Sequence, residues 1–412
     1  MTIDSQKKIM NPFRPSAGHM PPYLAGRERE MDEFKKLLTQ EPIMQNAVIT
    51  GLRGLGKTVL LEKFKPVAIE AGWFWAGTDL SESASVSEEI LATRILADLS
   101  LVTSTITLSE SRQAVGMSPI PVRTEKPLGF QKLAEIFHNT PGLVSDKLKA
   151  VLETAWGVIR QVKKRGIIFA YDEAQNMADH KDKSQFPLSL LLDVFQSIQR
   201  KGAPFMLVLS GLPTLYPKLV EARTYAERMF HVIMLERLGE QASREAVAKP
   251  IEKAKCPVSL VDASLSTIYK ITQGYPYFIQ YVCHEVFDCW IQRHEVGQPQ
   301  DSIPVEEIIR KLDADFFAGR WARATDRQRE LLWVVSKLDS SESEFTVQEV
   351  AALSGKLLDK PFSSSHVNQM LVSLQDAGLI YKNRHGKYSF AVPLMAQFIQ
   401  RTQGQPPQLK LF

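Results

Sequence analysis

Gly51-Leu52-Arg53-Gly54-Leu55-Gly56-Lys57-Thr58 sets three glycines, a lysine and a hydroxyl at the spacing G-x-x-x-x-G-K-[ST]. Glycines at 51, 54 and 56 allow a sharp turn that aims successive backbone N–H groups at phosphate oxygens, at the positive end of the following helix. Lys57 then reaches the β- and γ-phosphates, and the Thr58 hydroxyl reaches Mg²⁺. The implied chemistry is binding of a nucleoside triphosphate, with the stretch from Gly51 to Val59 as its contact surface. The apolar Val48-Ile49-Thr50 before the motif and the helical Val59-Leu60-Leu61-Glu62-Lys63-Phe64 after it supply the strand–turn–helix setting it requires.

A second constellation follows far downstream. Gly166-Ile167-Ile168-Phe169-Ala170-Tyr171-Asp172-Glu173 is a continuous apolar run closed by two carboxylates, as in a buried parallel strand whose C-terminal end carries chemistry. It resembles a Walker B motif, in which Asp172 holds the Mg²⁺ water shell and Glu173 orients and polarises the attacking water. The next apolar run, 205–211, ends in Ser210, a candidate γ-phosphate sensor or simply the start of the Gly211-Leu212-Pro213 turn. Arg223 and Arg228 precede the last strand-like run, 231–235. Each is placed either to reach a neighbouring subunit or to sit as a solvated helix charge.

These residues need a scaffold of alternating strands and helices. The spacing predicts a helix with apolar Met31, Phe34, Leu37 and Leu38, a strand over 72–78 ending in Asp79, a helix over 87–101 and another over 144–164. Residues 102–130 turn to Ser, Thr and Pro without sustained period and read as an insertion or flexible loop. Residues 1–20 read as a tail or strap. With 412 residues, 44% hydrophobic and 23% charged, two or three domains are expected. The net charge of +4 permits contact with nucleic acid without requiring it. No apolar run approaches the roughly 18 residues of a membrane span, and residues 1–10 carry no signal-peptide block, so no membrane partner and a cytoplasmic location are expected. Three cysteines fit a reducing compartment. Cys283, Cys289 and His294 lie in a helical apolar stretch at spacings unlike zinc sites and read as packing.

In order, Leu24-Ala25-Gly26-Arg27-Glu28, the glycine-rich loop, Tyr171-Asp172-Glu173, Ser210 and Arg228 resemble the AAA+ ATPases. The likeness is to the branch with origin-recognition and helicase-loader ATPases, archaeal-type ATPases and STAND signalling NTPases. It implies an α/β P-loop NTPase with a three-layer αβα core, an all-α lid and a C-terminal winged helix. ATP and Mg²⁺ are the implied cofactors; no guanine-reading Asn-Lys-x-Asp segment is present. Tyr23, Leu24 and Arg27 become candidate base contacts, and Arg228 becomes a finger acting on a neighbour's γ-phosphate in a homo-oligomer. Gly274-Tyr275-Pro276 resembles the lid segment whose proline packs on the nucleotide, although helix punctuation explains the same residues. Loaders place a sensor arginine three residues after that glycine; this chain has Tyr277, which points to slow turnover or a nucleotide-gated switch.

The C-terminal stretch suggests helices over 330–337, 346–353 and 363–377, then a hairpin through Asn383-Arg384-His385-Gly386. Three helices and a hairpin describe a winged helix. Candidate DNA contacts are Ser364, Ser365, His366, Asn368 and Gln369 on the third helix, with Lys382, Arg384 and Lys387 on the wing. That helix has no lysine or arginine of its own, so phosphate anchoring falls on the wing; the competing reading is packing against the core or a partner. The expected domains are a tail at 1–20, a nucleotide-binding domain at 21–235, a lid at 236–312, a winged helix at 313–404 and a tail at 405–412. The leading expectation is an ATPase oligomer acting on duplex DNA. The alternatives are a STAND-like switch controlling a protein effector and a nucleotide-binding scaffold with negligible turnover.

Overall fold

The computed structural model describes residues 10–16, 18–111, 123–256, 261–297, 303–384 and 386–402. These form two compact units: a sheet unit of Glu28–Gly51 and Leu60–Met234, and a helical unit of 10–27, Leu52–Val59 and 235–402.

The sheet unit runs α1 (Glu28–Leu38), β1 (Asn46–Thr50), α2 (Lys57–Glu70, its first turn grouped with the helical unit), β2 (Trp73–Ala76) and α3 (Glu88–Thr103). It continues with β3 (Thr107–Ser111), β4 (Arg123–Pro127), α4 (Phe130–Asn139), α5 (Val144–Ile159) and β5 (Gly166–Tyr171). Then come α6 (Pro187–Arg200), β6 (Phe205–Gly211), α7 (Leu215–Ala222), α8 (Ala226–Met229) and β7 (Phe230–Met234). Strand–helix–strand alternation gives a five-stranded parallel sheet in the order β2-β5-β6-β1-β7. β1, β5 and β6 are buried along their whole length, which is why their sequences are continuous apolar runs rather than alternating ones. Phe169 of β5 meets Phe195 of α6 and Phe205 of β6 edge-on, with ring centroids 5.1 and 5.8 Å apart. Phe34 of α1 stacks on Phe64 of α2 at 3.9 Å. The register pairs Tyr171 with Leu209 and Thr50 with Gly211, so β5, β6 and β1 end at one edge of the sheet.

The stretch 102–130, expected as an insertion or flexible loop, is structured in its described residues, which corrects the flexible-loop alternative. It holds the end of α3 and the antiparallel pair β3/β4, in register from Thr107↔Pro127 to Ser111↔Arg123; residues 112–122 lie outside the described residues. Thr105-Ile106-Thr107-Leu108-Ser109 does alternate with a strand period of two, but its polar composition hides the signal among loop residues.

The helical unit contains α9 (Glu240–Lys253), α10 (Asp262–Thr272), α11 (Pro276–Glu295), α12 (Val305–Leu312), a π-helical turn (Asp313–Ala318) and α13 (Gly319–Trp321). It ends with α14 (Asp326–Ser336), α15 (Val347–Leu357), α16 (Ser364–Asp376), β8 (Ile380–Arg384), β9 (Lys387–Phe390) and α17 (Met395–Thr402). Pro276 opens α11 at its first helical position, where no backbone hydrogen bond is lost. The helix buries Phe278, Ile279, Val282, Val286 and Phe287, together with Cys283, whose thiol is pushed up by burial. Residues 10–16 of the expected strap run along α11: the Asn11 amide donates to the His284 carbonyl at 2.9 Å, and Phe13 is buried against Phe287. Residues 1–9 and 17 of that stretch, and the tail at 405–412, lie outside the described residues. Thr325 with Gln328, and Thr346 with Glu349, form capping boxes on α14 and α15, and Ser363 caps α16. Phe345 and Tyr388 exchange backbone hydrogen bonds of 2.8 and 2.9 Å, tying the β8/β9 hairpin to the segment before α15.

Candidate nucleotide site

Within the helical unit the glycine-rich loop is held by backbone contacts. Gly54 and Gly56 adopt φ of 79° and 88°, left-handed values that let successive N–H groups converge on one concave face. Arg27 is 5% exposed, and its Nη2 donates to the carbonyls of Leu55 at 3.0 Å and Glu236 at 2.8 Å. The expected base contact therefore also braces the loop. Tyr277 N–H donates to the Gly54 carbonyl at 3.1 Å, and a Cβ on Gly54 would come within 3.1 Å of the Tyr277 Cβ. Thus Tyr277, at the position of the expected sensor arginine, packs directly on the loop through its backbone. Gly274 has φ 75°, and a Cβ there would lie 2.1 Å from the Leu238 carbonyl oxygen, so only glycine allows this approach next to Pro276. Lys57 Nζ donates to the Leu52 carbonyl at 3.0 Å. Leu55 is buried, Leu52, Thr58 and Val59 are half-buried, and Arg53 is exposed. Leu24 is half-buried; the Tyr23 hydroxyl lies 3.5 Å from Glu245 Oε2, with the Lys253 ammonium over its ring at 5.2 Å.

Within the sheet unit the acids converge at the edge where Gly51 begins the loop. Asp172 is 3% exposed, and its backbone is clamped on both sides: Leu80 N–H donates to its carbonyl at 2.9 Å, and its own N–H donates to the Thr78 carbonyl at 3.2 Å. That clamp brings Asp79 alongside Asp172. Burial, then the charges of Asp172 and Glu173, hold the Asp79 carboxyl above the usual carboxylate range. Glu173 sits at φ 52°, a left-handed conformation uncommon for a residue with a side chain. Its Oε2 accepts from Gln175 Nε2 at 2.5 Å, while Gln175 Oε1 accepts from the Leu212 N–H at 3.0 Å. Gln175 thereby links the Glu173 carboxylate to the end of β6. Ser210, on β6, is fully buried, and its hydroxyl has no hydrogen-bond partner among the described residues; the same holds for Thr50 on β1. Buried hydroxyls without partners and crowded carboxylates fit a hydrated Mg²⁺ and a phosphate chain. No cluster of three metal-ligating side chains is found among the described residues, and Mg²⁺ needs only one or two carboxylates beside water and phosphate oxygens.

The two candidate finger arginines differ. Arg223 is tied down: Nε and Nη2 donate to both Asp193 oxygens at 2.8 and 2.6 Å, and Nη1 donates to Ser189 Oγ at 2.7 Å. Burial pushes the Asp193 carboxyl up, but hydrogen bonds from Arg223 and Tyr225 outweigh it and hold the group below its ordinary value. Arg228 is exposed and lines an open hollow with Pro42, Met44, Arg200 and Tyr225. Met44 there is 76% exposed, an apolar side chain left uncovered beside the exposed arginine.

Ser364, Ser365, His366, Asn368 and Gln369 are all exposed on α16, and Lys382 is exposed on β8. Asn368 Oδ1 accepts from the Tyr388 hydroxyl at 3.2 Å, so one candidate base reader is engaged inside the module. Lys387 is half-buried, and its charge helps, after the Thr346 hydrogen bonds, to hold the Glu349 carboxyl down. The side chain of Arg384 and all of His385 lie outside the described residues.

A family described as a domain of unknown function, DUF8462, matches residues 314–399. No curated protein matches the chain. Among solved structures, the Walker-type ATPase PABY2304 of Pyrococcus abyssi is similar with TM-score 0.55 at 14% identity, covering 92% of this chain and 96% of that one. The ADP form of the Aeropyrum pernix ORC2 protein is similar with TM-score 0.51 at 14% identity, over 94% and 97% of the two chains. The fold is that of the AAA+ P-loop NTPases. In this fold, Asp79 and Gln175 join the acids singled out from the sequence. Asp79 closes a strand-like run in the sequence, where nothing local ties it to Asp172.

Proposed function

We propose that this chain is a Mg²⁺-dependent ATPase whose assembled homo-oligomer acts on duplex DNA. The observation that carries this reading is the common edge of the parallel sheet at which β1 delivers the glycine-rich loop and β5 delivers Asp172 and Glu173. The loop N–H groups and Lys57 bind the phosphates, and Tyr23, Leu24, Arg27 and Pro276 are the candidate contacts for the rest of the nucleotide. Thr58 and Asp172 would hold Mg²⁺, which neutralises charge on the β- and γ-phosphate oxygens. Glu173, its carboxylate fixed by Gln175, orients the water and takes its proton as oxygen attacks the γ-phosphorus and the bond to ADP breaks. Ser210 donates a hydrogen bond to the γ-phosphate. Arg228, exposed beside the uncovered Met44, reaches the neighbouring subunit's γ-phosphate and offsets charge that builds in the transition state. The C-terminal module, read as a winged helix, meets DNA through α16 and the β8/β9 hairpin.

The test is hydrolysis with and without duplex DNA across a salt series. A rate stimulated by DNA, with binding that weakens steeply as salt rises, supports the reading; a rate indifferent to DNA refutes it. One observation favours a second reading. α16 carries no lysine or arginine, and Asn368 is held by Tyr388, so the face suits a protein effector in a STAND-like switch. Copurification of a stoichiometric protein partner released by ATP supports that alternative.

A further inference from the structure

The helical unit sets two arginines that none of the roles above uses, Arg320 and Arg323, near Arg53 of the glycine-rich loop. The π-helical turn sets the Phe316 ring against Tyr277, with centroids 5.3 Å apart, and Tyr277 is itself bound to the loop at Gly54. Arg320, just after the turn, donates from Nη1 to the Phe316 carbonyl at 2.5 Å, and its guanidinium lies 4.5 Å from the centroid of the Phe316 ring. A long side chain is thus already ordered near the loop, so little rotamer freedom remains to be lost on binding a ligand. Burial, then the positive charges of Arg53 on the loop and of Arg323, disfavour the charged form of Arg320. Among the described residues no carboxylate pairs with any of the three, and Asp315, close in sequence, is engaged by the Tyr281 hydroxyl at 2.8 Å. Guanidinium groups stay charged at any ordinary pH, so such crowding costs free energy until an anion offsets it.

We propose that Arg320, with Arg53 and Arg323, binds the terminal phosphate of the nucleoside triphosphate held by the glycine-rich loop. The domain spanning 314–399 would then sense in cis whether the third phosphate is present, through the turn that carries Arg320. This rests on the reading of the loop as an ATP site. It assigns the phosphate-sensing charge, missing at Tyr277, to a residue outside the lid segment.

The test is the dissociation constant for ATP and for ADP, with Mg²⁺, in the wild type, Arg320→Ala, Arg320→Lys and Arg323→Ala. A charged hydrogen bond to phosphate predicts about tenfold or greater loss of ATP affinity in Arg320→Ala, with ADP affinity changed by less than about twofold. Arg320→Lys should fall between, and the exposed Arg323→Ala should shift ATP alone in the same direction. Equal losses for ATP and ADP would assign Arg320 a structural role and overturn the proposal. Unchanged ATP affinity with weakened duplex DNA binding would assign the cluster to nucleic-acid phosphates and overturn it too. A wild type that binds neither nucleotide removes the ATP reading itself, whereas ATP binding indifferent to Arg320 and Arg323 removes only the cluster.

Discussion

The sheet unit and the helical unit each crowd like charges together, with opposite signs. At the ends of β2 and β5, burial and then the charges of Asp172 and Glu173 raise the affinity of Asp79 for its proton. Beside the loop and the π-helical turn, Arg53 and Arg323 oppose the charge of Arg320. The acids favour a divalent cation and the arginines favour phosphate, and a Mg²⁺–triphosphate complex carries both kinds of charge. Each unit, taken by itself, thus carries a charge pattern that a ligand of the opposite sign would offset.

Substitutions at either pole separate binding from turnover. The largest effect is expected for Arg228→Ala, with turnover down roughly 10³- to 10⁵-fold if the arginine acts as a finger, and ATP affinity per subunit little changed. Mixing it with Glu173→Gln should restore part of the activity, because each subunit supplies what the other lacks; no recovery at any ratio, with assembly verified by mass, would place Arg228 outside a neighbour's site. Glu173→Gln alone should cost roughly 10²- to 10⁴-fold in phosphate release while ATP binding and assembly persist. Wild-type turnover in that variant would remove Glu173 from its role. Gln175→Ala frees the Glu173 carboxylate without deleting it, so kcat should fall about tenfold with KM nearly constant. A change confined to KM would show that Gln175 does not position the base.

Asp79→Asn should have the smallest effect. The raised value of Asp79 means that its protonated form is the one the fold favours. Stability linked to it is fully present below the unfolded value near 3.8 and is lost as pH rises through the higher folded value. At neutral pH without Mg²⁺, Asp79→Asn should therefore melt at or slightly above the wild-type temperature, with the gap closing as pH falls through that window. A lower melting temperature at neutral pH would show that the carboxylate is stabilising there.

The sequence made legible whatever depended on near neighbours. The glycine spacing, Lys57-Thr58 and the apolar run into Asp172-Glu173 each lie within a single strand and turn, so local pattern was enough. Asp79 and Gln175 gained their roles only when parallel pairing set β2 and β6 beside β5, a long-range event that no window of sequence records. Arg320 was hidden for another reason. Asp313-Ala-Asp-Phe-Phe-Ala318 has the composition of any amphipathic helix, and the π-turn that sets Phe316 against Tyr277 leaves no periodicity of its own. Arg223 and Arg228 looked alike in sequence; the bidentate grip of Asp193 separates them. The β3/β4 hairpin is hidden in the sequence because short polar strands and loops share the same residues.

Calorimetric titration of the wild type and of Lys57→Ala with ATP, in Mg²⁺ and again in a chelator, bears on all of this at once. ATP should bind the wild type with Mg²⁺, bind less tightly in chelator, and lose about tenfold or more in affinity in Lys57→Ala. Absence of ATP binding by the folded wild type in either buffer would show that the glycine-rich loop and the acid pair do not form a nucleotide site.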